Sequence, residues 1–488
     1  LEGDSSPSAG NDTEEDNCLN EIIFIRESTV TKDLRGFLSE LEADEPDQVV
    51  RLKKPADPRF EVTGVLAKLE RQRKFPVVIF ENVKGSSLPV VTNVHADARR
   101  LFRAIGLKDS TLPDFIREYA AREDSPIPPV IVKEAPVQEL VLTGEEVDVN
   151  RLPILTYHEK DAGRYITAGF GIMRDPDSGV RNAGIYRLMV HSPDSFGIQL
   201  SETAHGHYIW QTYERQNRPT PIAVAIGHHP AFYIGCLSFT SLETDEFSVA
   251  GGILGEPVEL VPCRTIDLEV PASAEIVLEC EILPKLRKAE APFGEYPGTY
   301  GPQRNNPIVQ VKAITMRRDA MYQSSFVGHA DNLLLSGIVR STTIMKTVKL
   351  ASPKVRAVHV PPSGRCRFIC YVAVDKIIEG EPKNAAMAAF AADPFLKYVV
   401  VVDQDVNILN DEEVLHAIAT RVRADTDIFM VTHAKGSPLD PASYDPAGGS
   451  HLVTKMGIDA TRKANYPDEI RVPGSDDIKL EDYFEGWR

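Results

Sequence analysis

The chain is short of basic residues for its acids, with 54 Lys+Arg against 71 Asp+Glu and a formal net charge of −17. Binding along a phosphate backbone needs a basic surface, so nucleic acid is not expected as a partner. Long hydrophobic runs are missing too. A bilayer span needs ~20 consecutive apolar residues, and no run here approaches that, VVVV at 399–402 being strand-sized; no membrane association is expected. Residues 1–20 are acidic and Ser/Gly-rich, with no basic start or apolar core, and read as a disordered tail or an expression remnant without a secretory signal. Cysteines are few. Cys18, Cys236, Cys263, Cys280, Cys366 and Cys370 contain no CxxC pair, which disfavours a disulfide scaffold and points to a reducing, cytoplasmic compartment. Cys366 and Cys370 sit four apart in RCRFICYVAV, where strand spacing puts both on one face; two buried core thiols are preferred there to a zinc site. GxGxxG and GxxxxGK[ST] are both absent, which disfavours an ordinary dinucleotide fold and a P-loop.

What remains is ordinary globular composition, 42% hydrophobic and 26% charged, over 488 residues. The expected class is α/β (α+β overall), divided into three parts. Residues 21–130 form an N-terminal α/β domain. In it, Leu34, Phe37, Leu38 and Leu41, and then Val62, Val65, Leu66 and Leu69, repeat at helical spacing before the strand FPVVIFENV and the helix HADARRLFRAIGL. The proline-rich DSPIPPVIVKEAP marks a boundary. Residues 131–330 follow as a β-rich barrel or sandwich of short strands, with SETAHGHYIWQTYERQ as a helix. From 331 to 488 helices and strands alternate, which suggests a parallel α/β sheet; a C-terminal oligomerisation segment is expected at its end. Asn410 followed by Glu413 is a capping-box-like start for the last helix.

Three stretches carry chemistry-bearing residues. AEAPFGEYPGTYG holds Glu290 and Glu295 between Pro292, Gly294, Pro297 and Gly298, with Phe293, Tyr296 and Tyr300 as apolar surroundings. A rigid loop with two carboxylates near apolar walls can keep one protonated and one ionised, as general acid catalysis requires; surface carboxylates on a turn are the commoner meaning of such spacing. RNAGIYRLMVH offers Asn182, Arg187 and His191. Strand alternation puts Arg187 opposite Asn182 unless a bulge intervenes, and a surface salt bridge is the plain alternative for it. His205, His207 and Glu246 suit a hard or borderline divalent ion, although a lone histidine is more often a satisfied core residue. His228-His229 reads as loop, and Asp403-Gln404-Asp405 as helix-start chemistry in preference to a metal or nucleotide site.

NAGIYR, TDEFSVAGG, LEVPASAEIVLE, APFGEYPGTYG, GSPLDPAS and KMGIDATRK occur in one order along the chain. Together they resemble the UbiD family of prenylated-FMN-dependent (de)carboxylases, and the resemblance covers most of residues 21–465. It implies an N-terminal α/β region, a central split β-barrel carrying the flavin, and a C-terminal α/β domain. It also implies reversible, non-oxidative decarboxylation of an aromatic, heteroaromatic or α,β-unsaturated acid by covalent catalysis on the flavin. Catalytic roles fall on Arg187, Glu290 and Glu295, with Glu295 as proton donor. Cofactor contacts fall on Asn182, Ile185, Arg187, His205 and Glu246. The metal ligands are Asn182, His205 and Glu246, with His207 as the alternative to His205, for Mn2+ or another divalent ion, and K+ as a further cation. His329 in SSFVGHADN is placed near the substrate pocket. The implied partners are a small carboxylic acid, CO2, a flavin prenyltransferase supplying the cofactor, and a second copy of the chain in a homodimer or higher homo-oligomer. Ala291 and Thr299 depart from the family pattern, where a glycine and an aromatic are usual. The rivals are a split-barrel flavin oxidoreductase, which gives Glu290 and Glu295 no task, and a non-catalytic flavin-binding assembly protein, which needs no acid.

Overall fold

The computed structural model describes residues 31–484, apart from 203, 444–450, 468–469 and 471. The tail expected over 1–20, the first ten residues of the N-terminal domain and Cys18 lie outside them. The N-terminal helices follow the apolar spacing. In Leu34–Asp44, Leu34, Phe37, Leu38 and Leu41 are buried, and Asp33 caps the helix by accepting from Gly36 N at 2.8 Å. Helix Glu61–Arg71 buries Val62 and Leu66. These helices flank a four-stranded sheet in which Val49–Leu52, Val77–Phe80 and Val90–Thr92 are joined by Tyr322–Gln323. A strand 230 residues downstream thus completes the first sheet, something no local pattern encodes.

The centre is a nine-stranded sheet whose pairings are all antiparallel. It ends on Tyr165–Ile166 at one edge and Arg181–Ile185 at the other, which leaves the barrel split. The longest members, Ile276–Glu290 and Arg304–Met316, pair along their length and place Glu290 opposite Arg304 at their far ends. Inside, Ile276, Leu278, Ile222, Val224 and Phe196 are fully buried and belong to one continuous core.

The last sheet has the order Val355–His359, Ile369–Val374, Tyr398–Asp403, Leu452–Ala460, Ile428–Lys435. It is mixed: the three central strands run parallel, as the alternation of elements suggests, but both edge strands are antiparallel. Val399 to Val402 are buried on both faces, which is why that strand reads as an unbroken apolar run. Cys366 does not share a strand face with Cys370. It precedes the strand in a left-handed turn (φ 53°) and packs with Tyr296 and Leu333, whereas Cys370 packs with Val358 and Val372. Asn410 caps its helix by accepting from Glu412 N at 3.0 Å; Glu413 reaches Asn407 N instead of the Asn410 backbone, so the box is incomplete. Asp403 and Asp405 are consumed by Arg421, at 3.1 and 3.0 Å, and serve packing. His228 and His229 are buried, and His229 caps the helix Pro230–Cys236.

Candidate active site

Asn182 lies on edge strand Arg181–Ile185, His205 is the first residue of helix His205–Arg215, and Glu246 opens helix Glu246–Leu254. Asn182 Nδ2 donates to Glu246 Oε1 at 2.7 Å, Ala183 N donates to Glu246 Oε2 at 3.3 Å, and His205 Nδ1 stands 3.5 Å from Glu246 Oε1. Asn182 Oδ1 is buried and has no hydrogen-bond partner among the described residues. Gly206 allows this approach, since a Cβ there would overlap the Tyr186 hydroxyl and push His205 away. Among the described residues no three His, Cys, Asp or Glu side chains gather for a metal; this set offers one carboxylate, one imidazole and one amide oxygen. His207 turns its ring to Trp210, at 5.2 Å, and lines a different cavity.

Arg187 lies in the gap between strands Arg181–Ile185 and Leu188–Ser192, so strand alternation does not govern it. Its side chain enters the same cavity, about 530 Å3, that Asn182, Ile185, His205, Glu246 and Glu295 line; ligand clefts typically span ~300–1,000 Å3. The guanidinium stacks over Phe293 at 5.2 Å, donates from Nε to Glu290 Oε1 at 3.1 Å and pairs through Nη1 with Glu295. Both carboxylates are buried. Asn306 Nδ2 holds the other Glu290 oxygen at 2.6 Å. Glu295 sits in a tight hairpin: its N donates to Thr299 O at 3.0 Å, and Gly301 N donates to Phe293 O at 2.9 Å. Asp161 pins the hairpin by accepting from Gly294 N at 2.9 Å, and a Cβ on Gly294 would strike the His158 ring. Ala291 takes φ 115°, a conformation that explains why glycine suits this position.

Some expectations fail in detail. Phe293 and Tyr296 are buried and line the Arg187 cavity, whereas Tyr300 is 39% exposed, accepts from Lys160 N and does not line that cavity. His191 lines a separate cavity with Asn150 and Arg164. His329 does not line the Arg187 cavity. It lies in another, of about 660 Å3, across residues 294–301, where it bonds Glu70 at 2.5 Å and stacks on Phe326 at 3.6 Å; Glu295 lines both. Sequence reading missed Asn306, Asp161, Asn332, Arg340 and Arg367. The last three line the Arg187 cavity from the C-terminal part of the chain. Of the C-terminal wall, only Ser437, Pro438 and Leu439 carried a signal, inside GSPLDPAS.

Family models of the 3-octaprenyl-4-hydroxybenzoate carboxy-lyase match the chain in three pieces: its N-terminal domain over 40–119, its Rift-related domain over 130–330 and its C-terminal domain over 333–460. Anhydromevalonate phosphate decarboxylase of Methanothermobacter thermautotrophicus is 35% identical over 428 residues, covering 88% of this chain and 96% of its own. The UbiD-class enzyme HmfF of Pelotomaculum thermopropionicum, solved with FMN, is 42% identical with a TM-score of 0.86, covering 93% of this chain and 100% of its own. An evolved dimeric form of HmfF is solved with prenylated FMN. The 3,4-dihydroxybenzoic acid decarboxylase of Klebsiella pneumoniae is 28% identical with a TM-score of 0.84, covering 93% of this chain and 99% of its own. These matches settle the reaction class as carboxy-lyase, against a flavin oxidoreductase or a non-catalytic binder. The chain belongs to the UbiD family of prenylated-FMN-dependent decarboxylases.

Proposed function

We propose that the protein reversibly and non-oxidatively decarboxylates an aromatic, heteroaromatic or α,β-unsaturated carboxylic acid, with Arg187, Glu290 and Glu295 as its catalytic residues. The observation that carries this reading is that one guanidinium, at the wall of the cavity, joins two buried carboxylates. Loss of CO2 from an unsaturated carbon leaves electrons that no side chain can delocalise, and prenylated FMN supplies that sink when bound. Arg187 orients the substrate carboxylate, because a planar fork matches its two oxygens. Glu295 delivers a proton to the carbon that has lost CO2, and in the carboxylating direction removes one. Glu290, fixed by Asn306, sets the position of Arg187 and the protonation of the group.

Asn182, His205 and Glu246 would hold a divalent ion, Mn2+ or a relative, that neutralises the cofactor phosphate; Ile185 would contact the cofactor and K+ would be a further cation. The orphaned Asn182 Oδ1 beside a buried carboxylate supports a cation there. The domain division at about residues 130 and 330, a prenyltransferase as cofactor supplier and a cytoplasmic site complete the reading; the described cysteines are all free thiols, and no described helix is long and apolar enough to cross a membrane. Self-association is assigned to the C-terminal segment, where Ile470, Val472, Tyr483 and Phe484 are exposed apolar side chains.

The test is a panel of unsaturated carboxylic acids given to protein coexpressed with a flavin prenyltransferase, with CO2 loss followed by mass spectrometry. The panel includes phosphorylated acids, the substrate type named for the Methanothermobacter relative. Turnover with unmodified FMN alone, or none on any acid with the prenylated cofactor in place, overturns the reading.

A further inference from the structure

A second cavity, of about 690 Å3, adjoins the first across a wall formed by Arg187, Gln199, Phe395, Pro438 and Leu439. Its charge is one-sided. Arg187, Arg287, Arg304 and Lys435 line it, with Glu202 as the one carboxylate among the described residues. Two of these cations are occupied, Arg187 by Glu290 and Glu295, and Arg287 by Glu214 at 2.5 Å. The other two are not: the Arg304 and Lys435 side chains form no hydrogen bond or ion pair among the described residues.

Arg304 is only partly exposed, stands opposite Glu290 in the strand register and feels the repulsion of Arg187. Burial, then Arg187, disfavours its charged form, and the exposed Glu202 opposes them only in part. A guanidinium kept out of water beside another cation is costly unless a counter-charge meets it. His207, Trp210 and His451 line the same space, and each carries a buried ring nitrogen without a partner among the described residues. Two cations without ion-pair partners on one cavity, with a lone exposed acid at its edge, are the inverse image of an oxyanion.

We propose that this cavity is an anion subsite, in which Arg304 and Lys435 hold a carboxylate or phosphate group of the substrate beside the catalytic Arg187. It rests on the reading that Arg187 receives the leaving carboxylate. The anion has two possible sources: the reacting carboxylate in transit to Arg187, or a second anionic group at the far end of an acid whose leaving carboxylate is already there. Charge-assisted contacts of this kind are the strong ones, and guanidinium matches both oxyanions in a fork that lysine does not reproduce.

Trp210 makes the site readable without turnover. The chain has two tryptophans, and Trp210 lines this cavity. Crotonate, fumarate and inorganic phosphate are titrated into the holoenzyme, parent and variants, with tryptophan emission as the readout and a Trp210→Phe chain to assign it. Arg304→Gln should weaken binding by ~10-fold or more, as loss of a charge-assisted contact does, and Arg304→Lys should restore part of it. Lys435→Gln, at an exposed position where folding is not at risk, should weaken it less. Lys349→Gln, an exposed charge on another face, should leave it unchanged. If Arg304→Gln weakens crotonate and fumarate equally, the site serves the carboxylate in transit; if fumarate and phosphate suffer and crotonate does not, it holds a second anion. Parental affinities in both Arg304→Gln and Lys435→Gln overturn the subsite. Binding that depends on Arg304 in an enzyme that releases no CO2 from any acid supports the subsite and counts against the substrate reading alone.

Discussion

Arg187 and Glu290 share a single hydrogen bond, Nε to Oε1 at 3.1 Å, not the two-pronged pairing an arginine can make. The other Glu290 oxygen belongs to Asn306. The guanidinium therefore keeps its Nη atoms for Glu295 and for an incoming carboxylate; Nη2 reaches only Gln199, at a long 3.5 Å. A bidentate pair would have closed the fork.

Glu295→Gln keeps the shape of the side chain but carries no acidic proton. A positioned acid contributes ~10²–10⁴-fold, so turnover should fall by that factor while flavin content holds. Arg187→Ala should be at least as damaging, and the double variant little worse than the worse single, because a unit cannot be broken twice. Steady-state kinetics on the four proteins check this; strictly multiplicative losses would separate the two roles.

Asn306→Ala removes the donor that fixes Glu290 and leaves a buried carboxylate oxygen unmet. An unsatisfied buried acceptor costs ~1–3 kcal/mol, so melting temperature and kcat should both drop, with Asn306→Asp worse through repulsion of two carboxylates. Unchanged kcat in Asn306→Ala would show that Glu290 needs no second anchor.

Glu246→Ala takes away the carboxylate that contacts both Asn182 and His205. Metal and flavin content should fall together while the circular dichroism spectrum stays that of the parent. Elemental analysis showing full metal in this variant would move the ion elsewhere.

Ala291 holds a left-handed conformation at φ 115°. Such non-glycine positions cost ~1–3 kcal/mol, so Ala291→Gly should raise the melting temperature and keep turnover. A lower melting temperature would show that the alanine methyl contributes more through packing than its backbone loses.

Acid stability carries a signature of His228 and His229. Burial holds each at about 3, against an ordinary value of 6.5, so both are neutral in the folded chain. Between those two values the unfolded chain binds more protons, so stability is fully present above pH 6.5 and declines as pH falls toward about 3. His228 Nδ1 accepts from His229 N and His229 Nδ1 from Ala231 N, bonds that only the neutral rings make this way. Unfolding free energy followed across that window should fall less steeply in His228→Gln than in the parent; equal slopes would remove His228 as a cause.

The helices over Leu34–Asp44 and Asp411–Arg421, the buried strand Tyr398–Asp403 and the proline- and glycine-broken acid loop were legible from residue order alone. Their signals are local: helical spacing, an unbroken apolar run, punctuation by Pro and Gly. Arg187, Glu290 and Glu295 were legible as candidates for the same reason, each inside a motif of distinctive neighbours. Residue order could not decide what lies against what. Asn182 and Glu246 are 64 positions apart and meet only because an edge strand and a helix start pack together. Asn306 reaches Glu290 through the register of two long strands. Cys366 went astray because proximity along the chain was taken for proximity in space: a left-handed turn takes it off its strand. The direction of the edge strands in the last sheet depends on connections and twist that alternation of elements does not record. Burial of charge decided the rest. Which acids share a guanidinium, and which cations face a cavity without an ion-pair partner, follow from packing elements distant in the chain around one space, where desolvation makes an unmatched charge expensive.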